Sequence, residues 1–235
     1  MENFPLGRCI GLIGGLGVGA AVFYYEALAK AHQDRGRAMD LVMAHAHMPH
    51  VRSMVASGDR AGLASYLASL IARMQAAGAE FAVLPAVAPH IAIAELTAAS
   101  PLPLVNLIEV IKREIAARSV RRVALLGARY VIDSRLYGHP WEIEVVTPPP
   151  DEVDYIHTTY FDVAEAGVAT AAQREGLART AHRLIERDRV DTIILAGTDL
   201  SLVFDETNTD FPHIDAARLH INAIVERAAE GLRDN

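Results

Sequence analysis

One cysteine, Cys9, stands in a chain of 235 residues. That scarcity excludes an internal disulfide framework and any cysteine-rich metal cluster. No apolar run approaches a membrane span, so a membrane partner is not expected. The opening "MENFPLGRCIGLIGG" lacks the basic start and apolar stretch of a signal peptide, and a cytoplasmic location is the expectation. A dense Lys/Arg stripe is missing as well, and the net charge is -7, which argues against nucleic acid as a partner. There is no low-complexity segment. The one linker-like piece is "TPPPDEVD", Thr147 to Asp154, and it is short.

Short apolar runs alternate with amphipathic stretches along the whole length. The runs are "CIGLIGG", "LVMAHAH", "EFAVLPA", "LPLVNL", "RVALLGA", "EIEVVTP", "DTIILAG" and "FPHIDA". Rich in Val, Ile and Leu without alternation, they read as strands covered on both faces. The stretches between them, such as Arg60 to Ala77 and Gln173 to Arg187, have helical periodicity. Alternation of this kind predicts an α/β fold with parallel sheets.

The chain also aligns with itself. "GLASYLASLIAR" (Gly62 to Arg73) matches "GLARTAHRLIER" (Gly176 to Arg187) at Gly, Leu, Ala, Leu, Ile and Arg. "EFAVLPA" pairs with "DTIILAG", "PLPLVN" with "DFPHID", and "IGLIGG" with "VALLGA", each pair about 110 residues apart, a typical domain length. Two similar α/β lobes are expected: residues 1–118, joined by a C-terminal helix at about 216–235, and residues 119–215. Strand ends of two such lobes are expected to face a common ligand cleft. The repeat pairs Ala86 with Gly197, and Gly14 and Gly15 with Gly127 and Ala128. A pseudo-symmetric cleft suits proton removal on one face of a small molecule and delivery on the other.

The motifs "IGLIGGLG...YYEAL", "AGAEFAVLPAVAPH", "GARYVIDSRLYGHPWEIEVVTP", "DTIILAGTDLSLVF" and "FPHIDAARLHINAIV" resemble, in order and spacing, the aspartate/glutamate racemase superfamily. The likeness runs from about Arg8 to Arg227. It implies two pseudo-symmetric lobes, independence of PLP and other cofactors, a small-molecule substrate and a homodimer. The paired-thiol members use one cysteine per lobe as opposed acid and base. Here the first falls on Ala86 and the second on Gly197, so a two-thiol mechanism is excluded. The Asn-Thr that follows the first cysteine reads Val87 and Ala88. Thr198 and the acidic Asp199 remain after the second position. The Thr-rich strand end of the second lobe becomes Ala128, Arg129 and Tyr130, while Ser134 and Tyr137 match. A lysine that the aspartate enzymes use on a substrate carboxylate aligns with Glu165. Cys9 precedes the first strand, away from the expected cleft, and a free cysteine is usually a small buried hydrophobe.

Several groups remain for chemistry. "AHAHMPH" supplies His45, His47 and His50. Residues two apart on a strand share a face, so His45 and His47 are candidate acid/base groups, and all three together a candidate metal site. Thr198 and Asp199 follow a glycine that permits close backbone approach, and suit a carboxylate or oxyanion; Thr and Asp equally favour a helix N-cap. His90 reads as mainly architectural. "GGLGVGA" fits the dinucleotide fingerprint from Gly15, but no acidic residue ends the next strand, since Asp40 begins it. Gly14 and Gly15 are therefore read as an anion-binding loop. Arg52, Arg129 and Glu165 are candidate cleft charges, and Ala86, Val87, Ala88 and Gly197 candidate lining. Three readings follow: a cofactor-independent enzyme using non-thiol acid/base groups on a small carboxylate or amide, a non-catalytic binder, or a metal-dependent hydrolase built on the histidines.

Overall fold

The structure is a computed structural model, described here for residues 5–135 and 143–230. It divides into two compact units. Residues up to Leu107, with those from His220 onward, form the first, and Ile108–Leu219 the second.

In the first unit the elements are β1 (Ile10–Gly14), α1 (Val18–Asp34), β2 (Leu41–His45), α2 (Met48–Ser57), α3 (Arg60–Ala76), β3 (Phe81–Val83) and α4 (Ile93–Ala99). The strands form a parallel sheet in the order β2-β1-β3. Central β1 is buried throughout, as its unbroken apolar run requires, whereas edge strand β2 exposes Met43 and His45. Helix α3 starts where Asp59 caps it by accepting the Gly62 N–H at 2.9 Å. It lays Leu63, Leu67, Leu70, Ile71 and Met74 into the core.

"LPLVNL" departs from its expected strand. Only an isolated parallel bridge forms, between Ala82 and Leu104. Pro103 has no N–H, so the ladder there reduces to Ala82 N–H donating to the Pro103 carbonyl and Val105 N–H donating to the Ala82 carbonyl.

The second unit takes nearly all of α5 (Leu107–Ala117), then β4 (Arg122–Leu126), α6 (Arg129–Asp133), β5 (Glu144–Val146), α7 (Pro150–Ala166), α8 (Ala171–Asp188), β6 (Thr192–Leu195) and β7 (His213–Asp215). Its parallel sheet runs β5-β4-β6-β7. α9 spans Ala216–Ala229. A capping box between Thr170 and Gln173 opens α8.

The linker-like "TPPPDEVD" is in large part the start of α7. Pro150 occupies the first helical turn, where a missing N–H costs nothing, and Asp151 and Glu152 favour the positive end of the helix dipole. The self-matching segments fall on the same elements in each unit: Gly62 to Arg73 within α3 and Gly176 to Arg187 within α8, then β3 and β6. Among the described residues no helix is long and apolar enough to cross a membrane.

Candidate functional site

In the first lobe β1 ends at Gly14, in register with His45 of β2. The chain then turns through Gly15 at φ +80, where a Cβ would stand 2.3 Å from the Ala46 carbonyl oxygen and 2.8 Å from His45 Nε2. Glycine is required there both by the left-handed backbone and by the imidazole beside it. β2 stops at His45, and His47 is the N-cap residue of α2, its N–H donating to the Tyr66 hydroxyl at 2.8 Å. Exposure still alternates along this stretch: Met43, His45 and His47 are exposed, Ala44 and Ala46 buried. His50 is turned edge-on to the Tyr66 ring at 5.0 Å. Among the described residues no group of three or more His, Cys, Asp or Glu side chains is placed to hold a metal ion. The reason is local, since the chain leaves the strand and enters a helix between His45 and His50. Arg52 is exposed on α2.

The end of β3 is aliphatic. Leu84 and Pro85 lead into Ala86 and Val87, 5 % and 4 % exposed, and half-buried Ala88. The 3₁₀ turn Ala88–Ala92 follows. His90 is buried within it and donates from Nδ1 to the Ala86 carbonyl at 2.9 Å. Its ring lies edge-on to His220, 6.5 Å between centroids. His220 is fully buried; Nε2 donates to the Val105 carbonyl at 2.8 Å, so Nδ1 accepts from the Tyr24 hydroxyl at 3.1 Å. Burial, followed by the proximity of His90, pushes the His220 pKa down to about 3, against the opposing pull of the Val105 carbonyl. His220 is thus a neutral cross-brace behind the aliphatic strand end, with the His90 ring packed edge-on against it. Cys9 is buried before β1, its thiol pushed up to about 11, first by burial and then by the charge of Asp40.

The second lobe is built differently. β6 runs into Ala196 and Gly197, and a 3₁₀ turn covers Thr198–Leu202. Thr198 and Asp199 are 2 % and 4 % exposed. Tyr160 on α7 donates its hydroxyl to Asp199 Oδ2 at 3.1 Å. The Tyr160 ring covers Gly197 so closely that a Cβ there would meet Cε2 at 2.4 Å. One turn earlier on α7, His157 Nδ1 accepts the Arg129 backbone N–H at 3.1 Å. Burial first, and the Arg129 charge second, hold His157 below the ordinary histidine value, with Asp133 opposing. Its proton therefore sits on Nε2 near neutral pH. The Arg129 guanidinium is ion-paired with Asp154 of α7. Ser201 donates to both carboxylate oxygens of Asp215, 3.1 and 3.2 Å, and Asp215 also takes Arg218. Glu165 is exposed in the last turn of α7, and Ser134 donates to the Val131 carbonyl. Tyr137 lies outside the described residues.

Thr198 and Asp199 thus share one strand end, and Gly197 borders them. Tyr160 and His157 were not among the expected groups. Their signal was "HTTYF", with His157, Tyr160 and Phe161 at the three- and four-residue spacing that puts side chains on one helix face. It was obscured because the segment just before it read as a linker.

A family model described as Asp/Glu/Hydantoin racemase matches residues 13–224. A Yersinia pestis protein whose assignment as an Asp/Glu racemase is provisional has a similar structure: TM-score 0.81, 22 % identity, over 95 % of this chain and 100 % of the other. An aspartate racemase homologue from Pyrococcus horikoshii gives 0.80 and 23 % over the same shares. A glutamate racemase from Francisella tularensis, in complex with D-glutamate, gives 0.66 and 15 %, over 94 % of this chain and 80 % of the other.

Proposed function

This chain belongs to the Asp/Glu/Hydantoin racemase family, and from that premise we propose that it is an enzyme moving protons on a small carboxylate- or amide-bearing metabolite without thiols and without a cofactor. The observation that carries the reading is the Thr198–Asp199 pair, buried at the end of β6 beside a glycine. A carboxylate kept from water at a strand end is suited to general base work, and the neighbouring hydroxyl to holding an oxyanion. Gly14, Gly15, Arg52 and Arg129 supply backbone N–H groups and positive charge for substrate carboxylates. His45 and His47, exposed at the other lobe's strand end, are the proposed partners in proton transfer. The substrate class is supported by the glutamate racemase relative that holds D-glutamate. A homodimer and a cytoplasmic location are further proposals from the family resemblance, checked by sedimentation and by fractionation.

A second reading, a small-molecule binder without turnover, is favoured by the burial of Ala86 and Val87, which leaves an aliphatic surface where a reacting group would stand. One experiment separates the two. Dicarboxylic amino acids, their amides and hydantoins are incubated with the protein in D2O, and loss of the α-proton signal is followed by NMR. The enzyme reading expects exchange of at least one compound, absent in Asp199→Asn. Calorimetric binding without exchange or turnover would move the assignment to the binder.

A further inference from the structure

Two independent facts tie Tyr160 to the strand end of the second lobe. Its ring fills the volume in which any side chain at position 197 would begin: a Cβ on Gly197 would lie 2.4 Å from Cε2 and 2.9 Å from Cζ. Its hydroxyl donates to Oδ2 of Asp199, a carboxylate that is nearly withdrawn from water. A hydrogen bond donated to a buried carboxylate favours the charged form and fixes which oxygen points where.

We propose that Tyr160 is the positioning residue of this site: it occupies the room left by the absent second thiol and holds Asp199 charged and oriented as the proton-transfer group. This assignment rests on the acid/base reading above. Asp199 takes the proton from the substrate carbon, the electron pair of the broken C–H bond staying on the substrate, and returns it in the reverse step. Tyr160 keeps its own proton throughout and acts only through the carboxylate.

Tyr160→Phe tests this, because the phenylalanine ring still covers Gly197 while the hydroxyl is gone. The Asp199 carboxyl is titrated by NMR on ¹³C-aspartate-labelled protein, with Asp199→Asn identifying its signal. The expected result is a rise of roughly one pH unit in Tyr160→Phe. The acid limb of the exchange rate moves upward with it, a change that a merely structural tyrosine would not produce. An unmoved carboxyl overturns the proposal; if exchange then persists, the acid/base reading survives without it. A wild-type protein inert toward every compound would sink the acid/base reading alone, and the carboxyl titration would still decide whether Tyr160 holds Asp199. The steric half has its own readout. Gly197→Ala should lower the melting temperature in the wild-type background and leave it unchanged in Tyr160→Ala. Equal losses in both backgrounds overturn that half.

Discussion

The two lobes share a plan and fill it with opposite chemistry. In each, a parallel strand leads within three residues to one of the paired positions Ala86 and Gly197, a 3₁₀ turn follows, and the side chain four residues on from that position is polar and buried. In the first lobe that side chain is His90, bonded back to the Ala86 carbonyl and backed by His220 and Tyr24. The strand end itself is methyl-lined. In the second lobe it is Ser201, bonded to Asp215, and the strand end keeps Thr198, Asp199 and the Tyr160 hydroxyl. The paired positions thus border packing in one lobe and a hydrogen-bonded carboxylate in the other. Chemistry is expected to follow the second.

The largest effect tests that asymmetry directly. Asp199→Asn should cut proton exchange by about 10²- to 10⁴-fold, the usual contribution of a general acid/base group. Ala86→Gly, at the paired position, should leave the rate unchanged within error. A rate collapse in Ala86→Gly with Asp199→Asn still active would invert the comparison.

Acid should expose the cost of the first lobe's brace. The His220 pKa lies at about 3 in the folded protein against an ordinary 6.5. Unfolding therefore takes up a proton between those values. The stability this residue contributes is complete above pH 6.5 and is lost as the pH falls through that window, by about 1.4 kcal/mol per unit. His157 in the second lobe shifts in the same direction and adds to the loss. Urea unfolding at pH 7, 5.5 and 4 measures the slope, and His220→Phe should flatten it. An unchanged slope in that variant would remove His220 as its source.

Much of the fold was legible in the residues. Unbroken Val/Ile/Leu runs at β1, β4 and β6 marked buried parallel strands, and the Gly62 and Gly176 segments both proved to be helices flanking equivalent strands. "LPLVNL" misled because apolar character does not register the missing N–H of Pro103. "TPPPDEVD" misled because prolines mark linkers and first helical turns alike. At the site, Thr198 and Asp199 were legible from their place after a strand and a glycine. Tyr160 was not, because its closeness to Gly197 and its hydrogen bond to Asp199 are spatial contacts that a chain of letters does not record. Among the described residues the three histidines form no group placed to hold a metal ion, which their spacing along the chain alone does not reveal.

Smaller effects sharpen the contrast at the first turn of each lobe. Gly15 has φ +80, while its repeat partner Ala128 sits at φ -66. Gly15→Ala should cost roughly 1–3 kcal/mol for the left-handed backbone alone, with the Ala46 carbonyl adding to it. Ala128→Gly should cost no more than about 1 kcal/mol, the entropic penalty of added freedom. Thermal unfolding compares them, and equal losses would mean that the two turns are not conformationally distinct.

The smallest expected change in stability bears on which lobe grips the substrate anion. Arg129 and its partner Asp154 are 38 % and 67 % exposed. A pair that open to water is worth at most about 1 kcal/mol, so Asp154→Asn should barely move the melting temperature. Its kinetic consequence is more informative. If Arg129 binds a substrate carboxylate, Asp154 competes for the same guanidinium, and removing that competitor should lower KM with kcat unchanged. Arg129→Ala should then raise KM, and Arg52→Ala, at an exposed position of α2 in the first lobe, provides the matching measurement there. If KM responds to Arg52 and to neither Arg129 nor Asp154, binding and proton transfer are divided between the lobes, with charge recognition in the first and the carboxylate in the second.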